Sequence, residues 1–317
     1  MVGKDFLDLE LRGKSAWWRY FLGLALSITI WVLGSTLAIL PVLFIRAYQT
    51  GSDGTPFTGD LFSLNDLNAH IPAAIMFTGV VAGFIFLILG LWLSLTFLHG
   101  RSLQTLVTPY QRIHWKRIAQ GALAWFLLAA LGSGVEALLY PGRYQFTLKL
   151  PEMLVFLPVA LLLTPLQTSA EELLVRGYIA QITGKISRRF LLPVILPSLV
   201  FMLLHVSNLE VSAGWGWMFA FYFSFGALLS WLTFKDNTLE LALGIHAANN
   251  LFAFLFANYN GASVISPSFF TVQTMDVTYG FFAFIIQAVI LYLLFFVIPV
   301  TKKYFLPSSS SNLQQGG

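Results

Sequence analysis

The chain has 317 residues, of which 57% are hydrophobic and only 10% are charged, and its mean hydropathy is +0.76. A soluble domain carries about 25% charged residues, so this chain has too few charges to cover a water-facing surface. It contains no cysteine, which excludes thiol catalysis, thiolate metal sites and disulfides. These numbers favour a protein embedded in lipid.

Apolar stretches long enough to cross a bilayer follow one another along the chain. A helix needs about 20 apolar residues to span the hydrocarbon core, and we predict eight such stretches. They cover residues 20–46, 71–98, 118–140, 152–184, 190–208, 214–234, 238–258 and 278–300. The first is too long for a cleavable signal peptide and lacks a small-residue cleavage site. The predicted fold class is an all-α, polytopic transmembrane helical bundle.

The lysines and arginines alternate with these stretches. Fourteen of the eighteen lie in the amino terminus, the tail and the second, fourth and sixth connections. The opposite connections hold only Arg143 and Lys149, while Arg46 and Arg176 lie within apolar stretches. Cytoplasmic segments carry the excess of cations, so we predict eight spans with both termini in the cytoplasm. We expect a multi-pass protein of the plasma (cell) membrane.

The first polar motif is EELLVR at 171–176, late in the fourth stretch. Glu172 and Arg176 are four residues apart, so they share a helix face and can pair. Glu171 lies about 100° around the helix, on the face of Gln167. Ionisable residues within spans are costly and commonly functional, so we predict that Glu171 faces a cavity as a general base. The alternative is a charge pair at a helix end, close to the headgroups.

The second motif is FMLLH at 201–205, in the fifth stretch. Its spacing places Phe201 and His205 on one helix face. We count His205 and His246 as the two of the five histidines that lie within spans. A single histidine in a span is also commonly a hydrogen-bonded packing residue, so this motif alone leaves both interpretations open.

The third motif is HAANN at 246–250, in the seventh stretch. His246 and Asn250 are four residues apart and can face one point, whereas Asn249 lies off that face. Gly244 and the two alanines are small, which permits close helix approach. The alternative is simple interhelical hydrogen bonding, worth about 0.6 kcal/mol in membranes.

Together the three motifs supply one carboxylate, two imidazoles and an amide, which can activate a water and stabilise an oxyanion. For this chemistry, the side chains of the three motifs must also lie close together in the folded protein. Along the helices, Glu171 and His246 fall in the cytoplasmic half, whereas His205 falls nearer the outer end of a short span. The mechanism therefore requires Pro193 or Pro197 to kink or shift the fifth helix, or the start of this helix to lie at the membrane interface.

The three motifs, in this order, resemble those of the CPBP family of intramembrane proteases. This family includes the type II CAAX prenyl proteases and the bacteriocin-processing (Abi) type. The resemblance implies three roles: water activation by Glu171 with His205, an oxyanion side of His246 and Asn250, and a supporting pair of Glu172 and Arg176 beside Phe201. It covers roughly residues 118–258, which we take as a protease-like core. Residues 1–117 hold the first two spans, and residues 259–317 hold an external loop, the last span and a tail predicted to be disordered.

The family has been described both as zinc metalloendopeptidases and as glutamate proteases that need no metal. If a metal is present, its ligands would be Glu171, His205 and His246. No HExxH motif occurs, and an amide such as Asn250 is a poor zinc ligand but a good oxyanion donor. We therefore favour hydrolysis that requires no cofactor and keep zinc as the alternative.

The predicted function is an intramembrane endopeptidase that hydrolyses a membrane-associated protein or peptide. The bilayer is its other partner, and no nucleic acid is expected. The resemblance leaves both the processing of prenylated carboxy termini and the cleavage of bacteriocin-like peptides or membrane anchors open. The alternative is a non-catalytic scaffold or immunity protein, or a proton-coupled transporter that uses the same polar cavity. The lack of inverted repeats argues against the transporter.

Overall fold

The computed structural model describes residues 4–52, 63–187, 189 and 191–298. Within these ranges nearly all regular structure is helical. The predicted disordered tail at 305–317 and the middle of the first external loop lie outside the described residues.

The α-helices form the bulk of the molecule. They are α1 (Lys4–Leu7), α2 (Trp17–Ser52), α3 (Leu64–His70), α4 (Ala73–Val81), α5 (Gly83–Leu93), α6 (Trp115–Leu139), α7 (Leu150–Glu172), α8 (Ala180–Ile186), α9 (Leu191–Leu204), α10 (Trp215–Asp236), α11 (Glu240–Leu255) and α12 (Val277–Tyr292). Wider π-helical turns extend three of them, at Ser94–His99, Leu173–Ile179 and Leu293–Val297. Short 3-10 helices lie at Asp8–Arg12, Leu103–Leu106 and Leu209–Ala213.

Six continuous helical segments in the described ranges are long and apolar enough to cross a membrane. They are Trp17–Ser52, Ala73–His99, Trp115–Leu139, Leu150–Ile186, Trp215–Asp236 and Val277–Val297. The predicted polytopic helical membrane bundle is thereby confirmed. The other two predicted spans are helices as well, but α9 has 14 residues and α11 has 16. At 1.5 Å per residue they measure about 21 and 24 Å, short of the about 30 Å hydrocarbon core. The count of eight crossings stays a prediction.

One expectation about histidines was wrong. His99 is the last residue of the segment Ala73–His99 and is fully buried. The π-helical turn carries this helix one residue beyond the predicted end of the apolar stretch. Three histidines, rather than two, therefore lie within or at the end of an apolar helix.

Small residues bring α11 against α6. Gly244 lies directly on the backbone of Ile118, and a Cβ at Gly121 would lie 2.7 Å from the carbonyl oxygen of Leu241. Any larger side chain at these positions would separate the two helices. This close packing places the third motif deep inside the bundle, where its polar groups face α7 rather than lipid.

A small sheet that the sequence did not predict joins the connections at one end of the bundle. Its strands are β1 (Tyr144–Phe146), β2 (Ala257–Tyr259) and β3 (Phe270–Val272), in the order β1-β3-β2. β1 runs antiparallel to β3, with Tyr144 opposite Val272, and β2 runs parallel to it. We call this end of the bundle the sheet end.

The opposite end, which we call the cation-rich end, is covered by the amino-terminal segment and by residues 100–114. Phe6 and Leu9 are fully buried. The Phe6 amide donates to Oδ1 of Asn237 at 3.0 Å, and Nη1 of Arg101 donates to the Leu9 carbonyl at 2.9 Å. Although the sequence predicted only a charged cytoplasmic terminus here, its apolar residues close this end of the bundle.

A buried polar cluster lies just beneath this cover, and we call it the Tyr178 cluster. The Tyr178 hydroxyl lies 2.9 Å from Nε2 of His99 and donates to the Tyr20 carbonyl at 3.2 Å. Nζ of Lys185 donates to Oε2 of Glu10 at 3.2 Å, and the Tyr20 hydroxyl donates to the same oxygen. These bonds tie the amino-terminal segment to the helix that carries the first motif.

Candidate active site

Glu172 and Arg176 form a fully buried ion pair. Nη1 of Arg176 donates to Oε1 of Glu172 at 2.7 Å, and its guanidinium lies 4.3 Å over the Phe201 ring, a cation–π contact. Nδ1 of His246 lies 2.7 Å from the same carboxylate oxygen. Because a carboxylate only accepts hydrogen bonds, Nδ1 of His246 carries a proton. The pair spans the start of a π-helical turn, a feature frequent at functional sites.

Glu171 has a different environment from its neighbour. Its Oε1 accepts a hydrogen bond from Nε2 of Gln167 at 2.8 Å. Its Oε2 lies 3.6 Å from Nε2 of His246 and has no hydrogen-bond partner among the described residues. The imidazole of His246 therefore lies between the two glutamates and contacts the carboxylate of each.

His205 immediately follows the end of α9. Its Nδ1 lies 2.7 Å from the Phe201 carbonyl, which only accepts, so Nδ1 carries the proton and the neutral ring keeps Nε2 as an acceptor. The ring is held between Phe201 and Tyr222, whose ring centroids lie 4.4 and 4.5 Å away. These contacts fix both the tautomer and the orientation of the imidazole.

The helix bounds remove the depth mismatch expected from the sequence. Glu171 lies 15 residues before Ile186, where α8 ends, and His205 lies 14 residues after Leu191, where α9 begins. At 1.5 Å per residue, the two residues lie about 22 and 21 Å from neighbouring helix ends. Glu171 and His205 therefore lie at a similar depth in the bundle. This is because the fourth helix is longer, and the fifth helix shorter, than the apolar stretches of the sequence predicted.

The amides of the third motif form a chain of hydrogen bonds that leads to Glu171. Nε1 of Trp125 donates to Asn249, and Nδ2 of Asn249 donates to Asn250, each at 3.1 Å. Nδ2 of Asn250 then donates to Oε1 of Gln167 at 3.4 Å. Asn249, which spacing placed off the active face, is thus part of the site, and so is Trp125. Neither was predicted, because the contact depends on how α6 packs on α11.

A cavity of about 500 Å³ joins these groups. Glu171, His205, Asn249 and Asn250 line it, together with Gln167. His246 is not among its lining residues and is 2% exposed, so it lies behind Glu171. In the described residues no hydrogen bond links His205 to Glu171 across the cavity.

Three further acidic residues line the same cavity towards the sheet end: Glu136, Glu210 and Asp276. Glu136 accepts hydrogen bonds from Nη1 of Arg143 at 2.7 Å and from the Tyr144 hydroxyl at 2.6 Å. Burial raises the pKa of Tyr144, and the bond to Glu136 adds to this effect, so the phenol stays a donor. Sequence reasoning missed Glu136, although a lone acid within the apolar stretch 118–140 was a visible signal.

The candidate metal ligands do not fit a shared ion as they are placed. In the part of the chain that the structure describes, no three His, Asp or Glu side chains are arranged to hold a metal. Zinc requires ligand atoms about 2.0–2.2 Å from a common centre. Nδ1 of His246 is committed to Glu172, and the Nδ1 of His205 to a backbone carbonyl.

This geometry defines a polytopic membrane protein with a carboxylate, imidazole and amide site beside an internal cavity. A model of the Rce1-like family, the type II CAAX prenyl endopeptidases, matches residues 150–252, which contain all three motifs. The chain is also 30% identical over 264 residues to the uncharacterized protein YyaK of Bacillus subtilis (strain 168), covering 83% of this chain and 85% of that protein. No solved structure matches the chain significantly. The chain belongs to the CAAX protease (CPBP) family.

Proposed function

We propose that this protein is an intramembrane endopeptidase that hydrolyses a peptide bond of a membrane-associated protein or peptide without requiring a metal. In the same proposal it crosses the plasma membrane eight times, with both termini in the cytoplasm. Family membership supports the class of reaction, and the cation asymmetry supports the orientation.

One observation carries the proposal. Glu171 lines a cavity of about 500 Å³ together with His205 and Asn250, whereas Glu172 does not line it. Glu172, one residue away, is fully buried, and one of its oxygens makes short hydrogen bonds to both Arg176 and His246.

The proposed reaction begins with a water held between Glu171 and Nε2 of His205. Glu171 takes one proton from this water as the new O–C bond forms at the scissile carbonyl carbon. The negative charge moves to the carbonyl oxygen, where the Nδ2 hydrogens of Asn250 can stabilise it. Glu171 then passes its proton to the amide nitrogen, the C–N bond breaks, and a carboxylic acid and an amine are released.

His246 serves Glu171 rather than the substrate in this scheme. It lies behind the carboxylate and bridges it to Glu172, with contacts of 3.6 and 2.7 Å. We therefore assign it as a positioning residue and assign the oxyanion contact to Asn250, which lines the cavity.

The test is Glu171→Gln, which keeps the shape of the side chain and its bond to Gln167 but cannot accept the proton. Protein amino termini in membranes from cells that express the wild type or the variant are labelled and compared by mass spectrometry. Termini that the wild type generates should fall at least about 100-fold with the variant, because general-base catalysis contributes about 10²–10⁴-fold.

The matched control is Glu10→Gln, which alters a buried carboxylate of the Tyr178 cluster. It should leave those termini in place once protein amounts are equalised. If Glu171→Gln generates the same termini as the wild type, the protein is not a protease of this mechanism. A scaffold would tolerate the change.

A further inference from the structure

We propose that the cavity is entered from the extracytoplasmic side of the membrane, so that the substrate is a peptide segment presented at that face. Calling the entering peptide a substrate rests on the proposed function. The route of entry itself follows from the position of the cavity, the length of two helices and the closure of the opposite end.

The cavity reaches the loop layer at the sheet end. Besides Glu171 and His205, its lining includes residues from three connections there: Tyr144, Asn208, Tyr259, Ser263 and Asp276. These residues lie at the strands or between the helices, where the chain leaves α6, α9 and α11 and enters α7, α10 and α12. The cavity therefore extends from the proposed general base to this surface.

The short helices explain why a cavity forms at this end. α9 and α11 begin near the cation-rich end and extend for about 21 and 24 Å. Because the hydrocarbon core is about 30 Å thick, these two helices end several ångströms short of its boundary at the sheet end. His205 lies just past the end of α9, so the site opens directly into the space that this helix does not fill.

The way from Glu171 to the cation-rich end is packed shut. Glu172, Arg176 and Tyr178 are all fully buried along the next two turns. Leu106 presses against Gly177 so closely that a Cβ there would lie 2.8 Å from the Leu106 Cβ. Beyond them, the buried Phe6 and Leu9 complete the cover.

Charge assigns the two ends to sides of the membrane. The connections at the sheet end from α6 to α7, from α9 to α10 and from α11 to α12 contain Arg143 and Lys149 as their only cations. Eleven cations lie in the described segments of the other end. The cation-rich end is the cytoplasmic one under the positive-inside rule, which makes the sheet end extracytoplasmic. The favoured substrates are extracytoplasmic peptides at the membrane surface and the outer ends of membrane anchors, rather than carboxy termini confined to the cytoplasm.

The absence of cysteine makes the test direct. Ala253 lines the cavity and is half-buried, Asn260 is exposed at the sheet end, and Ser102 is exposed at the cation-rich end. Each is replaced by cysteine singly in the full-length chain. A charged, membrane-impermeant maleimide is then added to right-side-out or inside-out vesicles. Ala253→Cys and Asn260→Cys should react only in right-side-out vesicles, and Ser102→Cys only in inside-out vesicles.

Reaction of Ala253→Cys only in inside-out vesicles, in both kinds of vesicle or in neither would overturn the proposal. Ala283→Cys, at a second position in the lining, replaces Ala253→Cys if that variant does not accumulate. Labelling needs no cleavage, so it decides the route of entry even if Glu171→Gln shows that the protein is not a protease. If it is one, the Glu171-dependent termini must map to extracytoplasmic segments, and cytoplasmic positions would refute the substrate class.

Discussion

Two buried polar clusters lie on the same long helix, Leu150–Ile186, and they differ in what surrounds them. The Tyr178 cluster has a carboxylate, an imidazole and cations, as does the cluster around Glu171. Yet both nitrogens of His99 are bonded there, to the Lys14 carbonyl and to the Tyr178 hydroxyl, each at 2.9 Å. In the Glu171 cluster, one oxygen of each of the two glutamates has no hydrogen-bond partner among the described residues, and Glu171 lines a cavity.

Residue types alone therefore do not identify a reactive site in a membrane protein. Both clusters hold costly ionisable groups, but one uses them to join the amino-terminal segment to the bundle. The other places a carboxylate, an imidazole and amides in the lining of a cavity. Paired substitutions in the two clusters therefore separate stability from chemistry.

The largest difference is expected between Arg176→Ala and Lys185→Ala. Removing Arg176 leaves Glu172 charged at a site with no exposure, and breaking a buried pair costs about 3–5 kcal/mol. Lys185 is 14% exposed, and its loss leaves Glu10 the hydrogen bond from the Tyr20 hydroxyl, so it should cost less, about 1–3 kcal/mol. Thermal unfolding in detergent measures both variants. Equal stability losses would contradict the assignment of Glu172 and Arg176 as the structural support of the site.

A smaller effect, on activity, should separate His205→Gln from His99→Gln. His205 lines the cavity with Nε2 free to accept, so we expect about a 100-fold loss of Glu171-dependent cleavage. The same change at His99 removes hydrogen bonds from a packed cluster and should lower the unfolding temperature while leaving the cleavage rate per folded molecule close to wild type. Rates are measured at equal amounts of folded protein. Similar activity losses in both variants would remove His205 from the proposed mechanism.

The smallest effect is expected from Tyr178→Phe. This change deletes only the hydroxyl that contacts His99, Ser94 and the Tyr20 carbonyl. A buried hydrogen bond contributes about 1 kcal/mol, so the loss should be about 1–2 kcal/mol with cleavage retained. Chemical denaturation in mixed micelles can resolve this difference. Loss of cleavage without loss of stability would mean that the two clusters are coupled.

The helical bundle could be predicted from the sequence because hydropathy and charge are local signals. Each of the eight predicted stretches is helical over most of its described length, and the spacing of Glu172 and Arg176 gave the correct shared face even across a π-helical turn. The three-residue strands were not predictable, since each is too short to show an alternating pattern. The register of β1 on β3 depends on contacts between residues more than a hundred positions apart.

The site could be predicted only in part, because many of its contacts join residues that are far apart in the chain. Local spacing identifies Glu171 as separate from the pair, but not the contact of His246 with both glutamates. That contact depends on Gly244 and Gly121, which set the distance between α6 and α11. Asn249 and Glu136 join the cavity through α6, whose packing has no signature in its own sequence. The cover of Phe6 and Leu9 was missed because the segment is short and lies among charges.

The shortness of α9 also has a consequence for the lipid around the protein. Leu191, Ile195, Leu199 and Leu203 form a stripe along it that is 37–65% exposed. A lipid-facing helix of about 21 Å beside hydrocarbon of about 30 Å produces a hydrophobic mismatch of about 9 Å. The bilayer must thin along this flank, at a cost of fractions of a kcal/mol per ångström. Water and headgroups are thereby drawn towards the level of His205, and the acyl-chain length of the host membrane becomes a determinant of how readily the protein resides there.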